Sequence, residues 1–132
     1  MARVLLVEDV PVVRATLVKF LERGGHAVTT CGGGSDAWLR LTAEAFDAVV
    51  TDLWMIDGDG LELIRRMRAA GDPTPVIAIT GGDPRSPQST SIEVALDAGA
   101  RHALLKPITK ATLLATVAEC LGAAAADVGR TA

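Results

Sequence analysis

A chain of 132 residues has the length of one domain, and its 49% hydrophobic content is ample for a single buried core. The 13 Lys and Arg against 16 Asp and Glu leave a formal net charge of -3, which gives no electrostatic basis for binding nucleic acid or an acidic membrane surface. Cys31 and Cys120 are far apart and lack ligand-type neighbours, which excludes a zinc motif and a disulfide-rich secreted scaffold; both are expected to be buried thiols in a reducing cytosol. The apolar run Val4-Leu5-Leu6-Val7 is shorter than the apolar region of a signal peptide and ends at Glu8-Asp9, and no other stretch is long enough to span a bilayer. The expected location is cytoplasmic.

In chain order, the first strand is predicted over 3–7, followed after Pro11 by a helix that carries Val13, Leu17, Phe20 and Leu21 at helical spacing and ends at Gly24-Gly25. A second strand over 26–31 leads through Gly32-Gly33-Gly34, read as a turn because the P-loop lysine is missing, to a helix marked by Ala37, Leu41 and Ala45. In that helix, Trp38 is expected to pack against the core. Further strands are predicted over 47–51, 75–80 and 102–105, and further helices over 61–70 and 92–98, the latter stopping at Gly99. Leu113, Val117 and Leu121 mark a fifth helix that Gly122 can cap. Between the fourth strand and the fourth helix, residues 81–91 with Pro84 and Pro87 read as a long loop. His26 and His102 flank strands without companions and are expected to be ordinary, half-buried histidines. The alternation predicts an α/β fold, a doubly wound five-stranded parallel sheet with helices on both faces. The domain is expected over 1–122, with 123–132 a short tail, disordered or a helix extension.

In an open α/β sheet, ligands gather at the carboxyl ends of the strands. The residues there are Glu8-Asp9, Asp52, Thr80-Gly81-Gly82 and Lys106-Pro107. Each alone is most often a solvated loop residue, a helix cap or a surface lysine. Jointly, four strand ends deliver three carboxylates, a hydroxyl and an ammonium to one edge. Crowded carboxylates repel one another, and a hard divalent cation with octahedral oxygen preference resolves the conflict, so Mg²⁺ is the expected occupant. Asp52 is then placed to act as a nucleophile toward phosphorus, while Lys106 and Thr80 suit the equatorial oxygens of a phosphoryl group in transfer.

These residues resemble the receiver domain of bacterial two-component response regulators, of the single-domain, chemotaxis-regulator-like kind. The likeness runs from Arg3 to about Leu121 and is carried by Val4-Leu5-Leu6-Val7-Glu8-Asp9, Asp52-Leu53-Trp54-Met55, Asp59-Gly60-Leu61-Glu62-Leu63, Ile79-Thr80-Gly81, Ala98-Gly99-Ala100 and Lys106-Pro107. The resemblance implies the flavodoxin-like receiver fold, phosphorylation of Asp52 by a histidine kinase or histidine phosphotransfer protein, and hydrolysis that resets the switch. It implies Glu8, Asp9, Asp52 and the backbone carbonyl of Trp54 as Mg²⁺ ligands, with Thr80 and Lys106 completing the site. It implies signalling by protein–protein interaction with an unknown downstream target rather than metabolic catalysis. Because only a short tail follows the fifth helix, a single-domain regulator is expected, although a piece of a longer regulator would read the same.

Three positions depart from the family pattern. Ile56 stands where proline is common, the segment after Thr80 is longer than typical, and Ala103 stands where an aromatic switch residue is common. Without that ring, the coupling is expected to run through a Gly81-Gly82 hinge and the loop to Ser91. The rival readings fit less well. A pseudo-receiver would lack one of the acidic, acceptor or lysine residues, and in a flavin protein Glu8-Asp9 would repel the phosphate that binds after the first strand. A dehalogenase-type phosphatase would need an Asp where Pro11 stands.

Overall fold

The computed structural model describes residues 2–55, 59–81 and 88–131, the backbone alone for 88–91 and 123–131. Five strands, β1 (Arg3–Val7), β2 (Ala27–Cys31), β3 (Ala48–Asp52), β4 (Val76–Thr80) and β5 (His102–Leu105), alternate with five helices, α1 (Pro11–Arg23), α2 (Gly34–Ala43), α3 (Gly60–Ala69), α4 (Gln88–Ala98) and α5 (Lys110–Thr131). All strands pair in parallel in the order β2-β1-β3-β4-β5. The order reverses direction between β1 and β3, which puts the crevice expected to hold a ligand at the carboxyl ends of those two strands.

Side chains of period two build the two faces. Leu5 and Val7 of β1 join Val49, Val76 and Ala78 in a core with Leu63, Ile64 and Met67 of α3 and Ala37 of α2. Val4 and Leu6 point the other way and join Val50, Ile77 and Ile79 in a core with Leu17 and Leu21 of α1 and Leu113 and Val117 of α5. Strands buried on both faces need continuous apolar runs, and this is why β1, β3 and β4 stand out in the sequence. Trp38 packs half-buried on the first of these cores, with the Arg66 guanidinium 5.3 Å from the centroid of its ring. Cys31 and Cys120 are buried, and burial, with the nearby Asp36 charge, pushes the Cys31 thiol up to about 12, far from reactivity.

Three expectations about helix ends need correction. Helix α2 stops at Ala43, so Ala45, expected within it, lies beyond its end, where its carbonyl accepts from Arg3 Nη1 at 2.8 Å. Helix α4 starts at Gln88, so residues 88–91, expected in the loop, are helical; 82–87, including Gly82, lie outside the described residues, as does Ile56. Gly122 does not cap α5, which continues to Thr131, because the alanine run after it has high helix propensity and one glycine costs only about 1 kcal/mol.

The start of α3 is tied to the end of β3. Asp59 is its N-cap, with Oδ1 accepting from the Glu62 amide at 2.7 Å, and the Gly60 amide donates to the Leu53 carbonyl at 3.0 Å. A Cβ on Gly60 would overlap the Asp52 carbonyl oxygen and lie 2.8 Å from Thr51 Oγ1, so the close approach of α3 to β3 requires glycine. Asp59→Ala should therefore cost about 1 kcal/mol for the lost cap. Gly60→Ala should cost more, up to about 3 kcal/mol for overpacking. Urea unfolding checks the order, and an alanine at position 60 as stable as glycine would show that α3 is not pressed against the acceptor strand.

Candidate functional site

The carboxyl ends of β1 and β3 bring Glu8, Asp9 and Asp52 together, with a carboxylate oxygen from each lying within 4.8 Å of the others. Glu8 is 1% exposed and Asp52 6%, so both charges sit almost out of solvent, while Asp9 is half-buried at the rim. Lys106, from the end of β5, reaches across: its Nζ donates to Asp52 Oδ2 at 3.1 Å and stands 3.6 Å from Glu8 Oε2. The other Asp52 oxygen, Oδ1, accepts from the Trp54 amide at 3.4 Å. Thr80 is fully buried at the end of β4, next to the strand that carries Asp52, and its carbonyl accepts the Lys106 amide at 2.9 Å. The ends of β1, β3, β4 and β5 thus carry Glu8, Asp9, Asp52, Thr80 and Lys106 along one edge of the sheet.

The electrostatics follow from this crowding. Burial, then the Asp52 charge, pushes the Glu8 carboxyl from its ordinary range up to about 7, with Lys106 and the Val10 amide opposing the rise. For Lys106, burial works against the ammonium, but the Asp52 and Glu8 carboxylates outweigh it and hold the pKa above the usual lysine value. Glu8 Oε1 accepts from the Val10 amide at 3.4 Å, whereas Oε2 is buried without a hydrogen-bond donor. A set of hard oxygen donors, one of them enclosed and short of a partner, fits a small divalent cation such as Mg²⁺.

Three supporting residues escaped the sequence. Thr51 Oγ1 donates to the Asp52 carbonyl at 2.9 Å, Gly60 permits the approach of α3, and Arg14 Nη1 donates to the Glu8 carbonyl at 3.0 Å. The Asp-Gly pair ahead of an apolar run was a signal for the α3 start. Arg14 and Thr51 gave none, since both act on backbone carbonyls that only the folded chain brings within reach.

Known proteins resemble this chain over nearly all its length. A family model described as response regulator receiver domain matches residues 4–118. The response regulator MprA of Mycolicibacterium vanbaalenii is 37% identical over 128 residues, which are 96% of this chain and 53% of that protein. MprA of Mycobacterium avium is 38% identical over 114 residues, 86% of this chain and 48% of that protein, so the chain spans about half the length of the curated relatives it matches. Among solved structures, the Francisella response regulator 1452 receiver domain superposes with a TM-score of 0.85 at 23% identity, covering 94% of this chain and 99% of that one, a likeness of fold. The receiver domain of the sensor histidine kinase PA1611 from Pseudomonas aeruginosa, solved with magnesium coordinated in its active-site cleft, has a TM-score of 0.81 at 29% identity and covers 92% of this chain and 98% of that one. With its whole sheet and its acidic crevice inside the matched region, the chain belongs to the response regulator receiver domains of two-component systems.

Proposed function

We propose that Asp52 is the phosphoacceptor of this receiver, taking a phosphoryl group from a phosphohistidine on a histidine kinase or histidine phosphotransfer protein. The observation that carries the reading is the joint placement of three carboxylates within 4.8 Å and the Lys106 ammonium 3.1 Å from Asp52 Oδ2. An Asp52 oxygen attacks phosphorus as the bond from phosphorus to the donor imidazole breaks, and an acyl phosphate results. Lys106 and the Thr80 hydroxyl then bind phosphoryl oxygens, replacing by specific contacts the water excluded from this buried edge. Glu8, Asp9, Asp52 and the Trp54 carbonyl would hold Mg²⁺, which supplies positive charge to offset that of the phosphoryl oxygens.

The phosphorylated form signals by binding a further protein in the cytoplasm. The receiver unit covers 1–122, and 123–132 form a tail whose backbone extends α5 as far as Thr131. Ala103 is half-buried against the α3-side core and offers no ring to move, which supports coupling through Thr80 and Gly81 instead. Among the described residues no helix is long and apolar enough to cross a membrane.

With acetyl phosphate and Mg²⁺, intact-mass spectrometry should show the gain of one phosphoryl group, which Asp52→Asn and chelation of the metal should each abolish. Equal labelling of Asp52→Asn would remove Asp52 from the role. Lys106 competes with a cation for the same carboxylates, so Lys106→Ala should leave Mg²⁺ affinity unchanged or raise it, while partner binding on phosphorylation falls by about tenfold or more. A sharp loss of Mg²⁺ affinity in that variant, with partner binding intact, would show that its ammonium does not act on the phosphoryl group.

A further inference from the structure

Glu8 and Asp9 are adjacent residues joined by a single peptide group, and the orientation of that group sets where both carboxylates point. Its carbonyl, that of Glu8, accepts a hydrogen bond from Arg14 Nη1 at 3.0 Å. The preceding amide of Glu8 donates to the Cys31 carbonyl of β2 at 3.0 Å, so the backbone is held on both sides of the Glu8 Cα, by a strand and by a guanidinium. Arg14 is itself fixed. It lies in the first turn of α1, where its amide donates to the Val10 carbonyl at 2.9 Å, and it is half-buried. The guanidinium passes beside the turn after β2, where a Cβ on Gly32 would meet Nη1 at an ordinary contact distance of 3.8 Å.

We propose that Arg14 is a positioning residue for the cation site: through the peptide joining Glu8 to Asp9 it fixes both carboxylates, and divalent-cation affinity depends on it. Groups that orient metal ligands from behind contribute to affinity through the geometry they impose. The inference rests on the Mg²⁺ reading of the acidic cluster. It also has a sign that charge alone would reverse. A cation near the site repels Mg²⁺, so removing Arg14 would tighten binding if its charge were what mattered. If its hydrogen bond is what matters, removal weakens binding.

The test is a MgCl₂ titration of the ¹⁵N-labelled full chain, following backbone amide shifts of Asp9, Val10 and Leu53, with thermal unfolding in chelator measured alongside. In the wild type these amides should shift saturably. Arg14→Met, which keeps the apolar stem and loses the donors, should raise the Kd about tenfold while the remainder of the spectrum and the unfolding temperature hold. Arg14→Lys should recover part of the affinity, and should Arg14→Met not fold, the lysine variant alone should still show a raised Kd. A Kd in Arg14→Met equal to or below that of the wild type overturns the positioning role, as does a wild-type Kd in Arg14→Lys where the methionine variant is unfolded. Absence of saturable shifts in the wild type would overturn the Mg²⁺ reading itself, and the inference with it.

Discussion

Mutual repulsion among Glu8, Asp9 and Asp52 is the constraint around which this molecule is arranged. Their oxygens lie within 4.8 Å of one another, two of the three groups are buried, and the cost is visible in the Glu8 carboxyl, pushed up to about 7 by burial and by Asp52. Lys106 offsets part of this through its contact with Asp52 and its proximity to Glu8, but it leaves Glu8 Oε2 without a hydrogen-bond donor. A fold optimised for stability alone would not gather these charges. Perturbed acids held in a crevice by a rigid scaffold mark a site kept for chemistry.

The scaffold meets that cost through the two cores. β1 and β3 are central strands with both faces apolar, so their carboxyl ends are positioned by packing rather than by loop preference. The reversal of strand order opens the crevice there, and β4 and β5 bring Thr80 and Lys106 in from one side. The close seating of Gly60 on the Asp52 carbonyl and the Arg14 bond to the Glu8 carbonyl complete the fixing of the two acidic segments from behind. In this arrangement the helices on both faces bear directly on the geometry of the acids.

The sheet and the acidic cluster were legible because each carries a strong local signal. Doubly buried strands read as short apolar runs, and the acidic residues that follow them, Glu8 after the run ending at Val7 and Asp52 shortly after Val49-Val50, mark the strand ends where ligands bind. Less legible were the features decided by context. Gly122 carries a stop signal that the alanine run around it overrides, and the four residues before Ile92 join α4 although they lack apolar periodicity. Contacts to backbone carbonyls, such as those of Arg14, Thr51 and Arg68, leave no trace in spacing; Arg68, for example, donates to the Gly99, Asp72 and Thr74 carbonyls and ties the α3 end to the turn before β5. Of the proposed hinge, residues 82–87 lie outside the described residues, while 88–91 form the first turn of α4.

The central claim is that the phosphoryl group is carried on one carboxylate of this cluster and that this carboxylate is Asp52. An acyl phosphate, unlike a phosphate ester, is reduced by borohydride, which converts a phosphorylated aspartate into homoserine. After reaction with acetyl phosphate and Mg²⁺, reduction and peptide mass spectrometry should place homoserine at position 52 and nowhere else in the chain. Homoserine at Asp9 or another aspartate, or phosphate surviving reduction on the Thr80 hydroxyl, would contradict the account.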